Sequence, residues 1–266
     1  MLKGKSLHHL ALAVTALFFF LASIKLILSA NTLALSVAVF TGTFFIYRLS
    51  VWVPVLSWSR RFIDFYSRPK AIELATYLII ILSTFYFLNF RETTLLISWG
   101  VFSTCYFLNI KLGAFHFKGL RSIPLIKTIH LSLLWTIIGF LFKQEIANNS
   151  LQISEFIIRF VILFIICLGV DLRDITKDEK SDTITLATIL GFYKLKQLML
   201  ITNLTLICSL ILIAPDLTLE LLIALMLFIG IFILKINSKP ITFTIIMDGT
   251  LLLYSFLAFM AQLTRF

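Results

Sequence analysis

The sequence predicts an all-α integral membrane protein, and three observations carry that prediction. Hydrophobic residues fill 60% of the 266 positions and charged ones only 14%, with a mean hydropathy of +1.02. A soluble domain of this length exposes far more polar surface. The apolar residues also lie in unbroken runs close to the roughly 20 that a helix needs to cross a bilayer. Lipid offers no hydrogen bonds to the backbone, so spanning segments must be helices or closed barrels, and unbroken runs favour helices.

Taken in order, nine spanning helices are predicted, over about 8–30, 32–56, 71–89, 92–110, 122–142, 153–172, 190–213, 217–235 and 241–263. The first contains the run Leu10 to Leu28 behind Lys3 and Lys5. That run is too long for the core of a signal peptide and no small-x-small cleavage pattern follows, so it reads as a retained span. Longer connections follow the second, fourth and sixth spans. Pro69 and Pro124 fall at loop edges, where a missing backbone donor costs little. The sixth span is the run "FIIRFVILFIICL". No connection is long enough to fold alone, so residues 1–266 read as a single polytopic membrane domain.

The formal net charge is +10, but in a membrane protein the location of the charge decides its meaning. With the N-terminus in the cytoplasm, 18 of the 23 basic residues fall on the inner side. The other five, Lys25, Arg91, Lys143, Arg159 and Arg265, lie outside or within spans. This bias predicts an N-in, C-out multi-pass topology, in the inner membrane if the source is bacterial. It accounts for the positive charge without a nucleic-acid partner. Cys105, Cys167 and Cys208 lie in separate apolar segments without C-x-x-C spacing, which predicts packing residues rather than disulfides or a zinc site.

Acidic residues are concentrated in one place. Between Asp171 and Asp182, directly after the sixth span, eight of twelve positions are charged and five of the chain's thirteen acidic residues are found. If the sixth helix continues two turns past the membrane, Asp171, Asp174 and Asp178 stand at i, i+3 and i+7 on one face. Converging carboxylates repel unless a cation neutralises them, and oxygen ligands of this kind suit Mg²⁺ together with substrate phosphates. A solvated cytoplasmic loop of mixed charge would show the same spacing.

The order of residues in "DLRDITKDEKSDTITLATILG" resembles the second aspartate-rich motif of the UbiA family of intramembrane prenyltransferases. The matching positions are Asp171, Asp174, Asp178, Thr185, Leu186, Leu190 and Gly191. Nine spans, the N-in orientation and the motif's place after the sixth span are also similar to that family. "LRSIPLIKTIHLSLLWTIIG" resembles its fifth-helix region, with Lys127 and Trp135 in matching places. The resemblance implies a ring of nine helices around a central cavity open to the cytoplasmic side. It implies a polyprenyl diphosphate bound through Mg²⁺, held by two aspartate-rich motifs. A lipophilic, often aromatic, acceptor then attacks the allylic carbocation left when diphosphate departs. Asp171, Asp174 and Asp178 become the expected metal ligands, with Asp174 and Asp178 essential to catalysis. Arg48, Arg121 and Lys127 become the expected diphosphate contacts.

The sequence departs from that pattern in two places. The first motif, N-x-x-x-D-x-x-x-D after the second span, does not appear: counting from Arg48 gives Trp52 and Leu56, and counting back from Asp64 gives Arg60 and Leu56. Only Asp64 and the pair Arg68-Pro69 match the family's loop. In the second motif the usual glycine is Asp182, and the usual basic pair is Thr183-Ile184. Arg48, Arg60 and Arg61 could neutralise a diphosphate directly through their guanidinium forks, although the positive-inside bias alone also explains them. Two other functions therefore stay open. One is a degenerate relative that binds isoprenoid diphosphates without catalysis; the other is a small transporter or scaffold whose charged loop meets a partner. Asp248, inside the ninth span, is expected either to line the cavity or to make a buried hydrogen bond. His130, alone on an apolar helix, reads as structural, and the 27 phenylalanines read as packing as readily as carbocation shields.

Overall fold

The structure is a computed structural model that describes residues 2–23, 30–52, 56–57, 68–107, 109–112, 115–118, 120, 123–141, 153–180, 184–214 and 216–263. Among them stand nine α-helices: α1 (Leu2–Ser23), α2 (Ala30–Trp52), α3 (Arg68–Phe85), α4 (Phe90–Phe107), α5 (Ile126–Thr136), α6 (Ile153–Lys180), α7 (Leu186–Ile213), α8 (Thr218–Ile233) and α9 (Pro240–Leu263). Each overlaps one of the nine predicted spans. Three of these helices, over Ile153–Glu179, Leu186–Ile213 and Pro240–Ala261, are by themselves long and apolar enough to cross a membrane. α6 runs on to Lys180, so the acidic stretch from Asp171 to Asp178 is helical.

Successive helices pack on one another from α4 through to α9, and α9 returns to pack on α1, which packs on α2. α6 touches α5, α7, α8 and α9. Ile162, Leu163, Ile165, Ile166 and Leu168 of α6 are accordingly buried. Two local signals shape α7. Thr185 caps it, its hydroxyl accepting from the Thr188 amide while the Thr188 hydroxyl accepts from the Thr185 amide. This reciprocal arrangement satisfies two donors that the helix start leaves open. One turn later Gly191 adopts φ 73°, a conformation in which a Cβ is penalised, and α7 kinks there. At the end of α5 the backbone widens into a π-helical turn, Ile137–Leu141.

The all-α class holds, with one addition in the connections. A small sheet in the order β1-β2-β3 joins the connections after α2 and α4: β1 (Leu56–Ser57) lies parallel to β2 (Asn109–Leu112), which is antiparallel to β3 (Phe115–Lys118). Leu112 pairs with Phe115. The signal was present in "NIKLGAFHFK", a glycine-containing loop between two short runs. Hydropathy counting placed Asn109 and Ile110 at the end of the fourth span and left the other residues of β2 and β3 in a connection.

Candidate functional site

Lys127 and Thr128 stand in the first turn of α5, and Asp171 to Asp178 occupy the last turns of α6. α5 and α6 pack side by side, which brings these segments together. Lys127 Nζ lies 2.6 Å from Asp171 Oδ1 and 3.4 Å from Asp178 Oδ2, and the Thr128 hydroxyl donates to Asp171 Oδ2 at 2.8 Å. All four side chains are buried, Asp171 to 2% and Lys127 to 8% exposure. Residues 171 and 178 are seven apart, two helical turns, so both carboxylates meet the one ammonium.

Asp174 has a different partner. Arg173 contacts Asp174 at 3.3 Å and reaches across to α9, where its Nη1 donates to Asp248 Oδ2 at 2.9 Å and to the Thr244 hydroxyl at 3.2 Å. Asp174 is the more accessible of the three aspartates, with 27% of its side chain exposed. Asp248 thus makes a charged hydrogen bond to Arg173 beside the acidic end of α6, in line with the expected hydrogen bond. His130 is held by the Phe102 carbonyl at 2.9 Å and packs against the Phe102 and Tyr106 rings; it ties α5 to α4. Arg121 and Asp182 lie outside the described residues, and so do the side chains of Arg48, Arg60, Arg61 and Asp64. The linkage of Arg173 to Asp248 escaped sequence reasoning because 75 residues separate them; the only trace was an ionisable group inside an apolar run.

The carboxylates bear on a metal. Among the described residues, Asp171 and Asp178 contact Lys127, and Asp174 and Asp248 contact Arg173. Carboxylate oxygens are the ligands that Mg²⁺ takes, and Lys127 Nζ marks a point on which two of them converge. The donor chemistry therefore fits a divalent cation. Among the described residues, however, no three His, Cys, Asp or Glu side chains gather as a ready-made cage. An entering ion would compete with the lysine ammonium.

Beyond Lys127 the same stripe of α5 turns apolar, and Leu131, Leu134, Trp135 and Ile138 line a cavity of about 30 Å³ against α2 and α4.

Fold comparison agrees with this architecture. The whole chain aligns with the whole of a digeranylgeranylglyceryl phosphate synthase structure, at 15% identity and a TM-score of 0.59. A UbiA homologue from Archaeoglobus fulgidus bound to GPP and Mg²⁺ aligns over 96% of this chain and 99% of its own, at 13% identity and a TM-score of 0.57. An apo UbiA homologue from Aeropyrum pernix K1 aligns over 97% of each chain, at 13% identity and a TM-score of 0.58. No sequence-family model matches the chain, and no curated protein matches it in sequence. The likeness is one of fold: this chain has the UbiA-type helical architecture.

Proposed function

We propose that the chain binds a prenyl diphosphate at the mouth between α5, α6 and α9 and transfers the prenyl group to a lipophilic acceptor within the membrane. The observation that supports this most is the convergence of Asp171 and Asp178 on one cation position in a fold shared with a protein bound to GPP and Mg²⁺. In this reading the N-terminus is cytoplasmic and the mouth faces the cytoplasm. Lys127, with Arg48 and Arg121 from the neighbouring segments, contacts the diphosphate. Asp171, Asp174 and Asp178 would hold a divalent ion, which when bound would neutralise charge developing on the departing diphosphate. The bond between C1 of the prenyl chain and the diphosphate oxygen breaks, the acceptor forms its bond to C1, and the acceptor loses a proton. Arg173 holds Asp174 in place and is itself held by Asp248 and Thr244.

The test is binding and turnover of GPP by the detergent-solubilised protein, with Mg²⁺ and with EDTA. Binding should need Mg²⁺, and release of diphosphate should accompany it. Asp174→Ala should weaken Mg²⁺-dependent binding at least about tenfold, the size of one lost charge-assisted contact, and abolish turnover; Asp182→Ala should do less. Binding without turnover, with the first aspartate motif missing, identifies a degenerate carrier. Absence of Mg²⁺-dependent binding for every prenyl diphosphate points to a transporter or scaffold and overturns the proposal.

A further inference from the structure

The cavity between α2, α4 and α5 has mostly apolar walls, yet two polar side chains on those walls make no bond. Thr43 of α2 and Trp99 of α4 both line it, and both are more than nine-tenths buried. Among the described residues, neither the Thr43 hydroxyl nor the Trp99 indole N–H has a hydrogen-bond partner. The usual recourse of a threonine in these helices is the carbonyl four residues back, and Thr15, Thr41, Thr76, Thr94 and Thr104 all take it. Thr43 does not, although Val39 stands four residues before it on the same helix. Buried polar side chains in native proteins are nearly always paired, and a hydrogen bond left unmade away from water is costly.

We propose that this cavity holds one buried water molecule, bound between the Thr43 hydroxyl and the Trp99 indole N–H, and that this water joins α2 to α4. The size fits. A volume of about 30 Å³ takes a water and is far too small for an organic ligand. The chemistry fits as well. An indole N–H can only donate, whereas a threonine hydroxyl donates or accepts. A water oxygen accepts from Trp99 while one of its own protons goes to Thr43, so a single molecule satisfies both. A buried water needs two to four polar partners, and the buried Ser103, one turn along α4 from Trp99, offers a third on the same wall. Gly42 brings the two helices close enough: a Cβ placed there would lie 3.2 Å from Trp99 Cζ3, so glycine lets the indole settle beside α2. On the α5 side Leu131, Leu134 and Ile138 compete for neither group. An apolar cavity stays dry; the two polar side chains are what make this one a water site.

Thr43, Trp99 and Ser103 stand apart from the aspartates and Lys127, so the assignment does not depend on the proposed prenyl transfer. The direct test is a crystal structure of the full detergent-solubilised chain at a resolution that shows ordered water. A single density peak within hydrogen-bonding distance of both Thr43 Oγ1 and Trp99 Nε1 is expected. An empty cavity overturns the assignment, and so does a direct bond between Thr43 and Trp99 or a Thr43 hydroxyl turned back to the Val39 carbonyl. Elongated density from lipid or detergent overturns it too. Thermal unfolding in detergent tests the same point in solution. Thr43→Val should lower Tm by roughly 2–4 °C, the worth of about one hydrogen bond in a chain of this size. The same substitution should cost clearly less in a Trp99→Phe background, where the water has already lost its other anchor. Without a bound water, Thr43→Val only removes an unpaired hydroxyl from an apolar site, so an unchanged or raised Tm overturns the proposal. Equal losses in the two backgrounds overturn the bridge. Failure of the function proposal reads out separately, as absence of GPP binding while the water and the Tm pattern persist.

Discussion

The two ends of α6 carry the same device for opposite purposes. Near its start Arg159 is clasped by Glu155 at 2.6 Å and Glu220 at 3.3 Å; near its end Lys127 is clasped by Asp171 at 2.6 Å and Asp178 at 3.4 Å. Both are buried cations between two carboxylates. At the first end every element cooperates. The Arg159 guanidinium also donates to the Gly139 carbonyl in the π-helical turn, and the Tyr254 hydroxyl donates to Glu220. The two glutamates lie in the first turns of α6 and α8, where the positive end of each helix dipole favours negative charge. The planar fork of arginine reaches several acceptors at once. The result is a staple joining α5, α6, α8 and α9.

At the other end the electrostatics run the wrong way. The aspartates crowd the C-terminal end of α6 and Lys127 stands in the first turn of α5, each at the helix terminus that disfavours its charge. One member, Asp174, remains partly exposed. The comparison separates a clasp whose charges suit their helix termini from one whose charges oppose them, and only the second is expected to gain from a bound cation.

The comparison can be broken most directly at the staple. Arg159→Leu should lower stability by about 3–5 kcal/mol, because it strands two buried carboxylates. Thermal unfolding in detergent measures this, and added Mg²⁺ should restore none of it. Lys127→Met should cost about 2–3 kcal/mol by the same logic, softened by the more open surroundings. Here Mg²⁺ should restore most of the loss, since the vacated position lies between two aspartates. Rescue of both variants, or of neither, would erase the distinction between the two ends. The smallest effects sharpen it with a matched pair of hydroxyl deletions. Tyr254→Phe should cost about 1 kcal/mol, one buried hydrogen bond, and leave GPP binding unchanged. Thr128→Val removes the donor to Asp171 at a similar cost of about 1 kcal/mol, but should also shift the Mg²⁺ dependence of GPP binding. Equal behaviour of the pair in the binding assay would show that the mouth is another staple.

Much of this molecule was legible along the chain because its determinants are local. Runs of apolar residues placed nine helices, and the i, i+3, i+7 spacing set the three aspartates on the end of α6. Thr185 and Gly191 entered the sequence reading only as positions of the resembled motif; the cap and the left-handed turn they form depend on a few neighbours alone. The sheet was lost for the converse reason: four-residue strands carry too little periodicity to compete with hydropathy.

By itself, then, the sequence determined the helical class, the order of the helices and the position of the acidic segment, since bilayer-length apolar runs and helical spacing are properties of contiguous residues. Tertiary structure alone decided the partners. It brought Lys127 to Asp171 and Asp178, Arg173 to Asp248, and Arg159 to Glu220. It set Thr43 and Trp99, whose polar atoms have no hydrogen-bond partner among the described residues, around one cavity. Each of these joins side chains on different helices, and what selects them is the packing of whole helix faces together with the high cost of an unpaired charge or donor away from water. That cost is a property of the assembled bundle, and no stretch of residues records it.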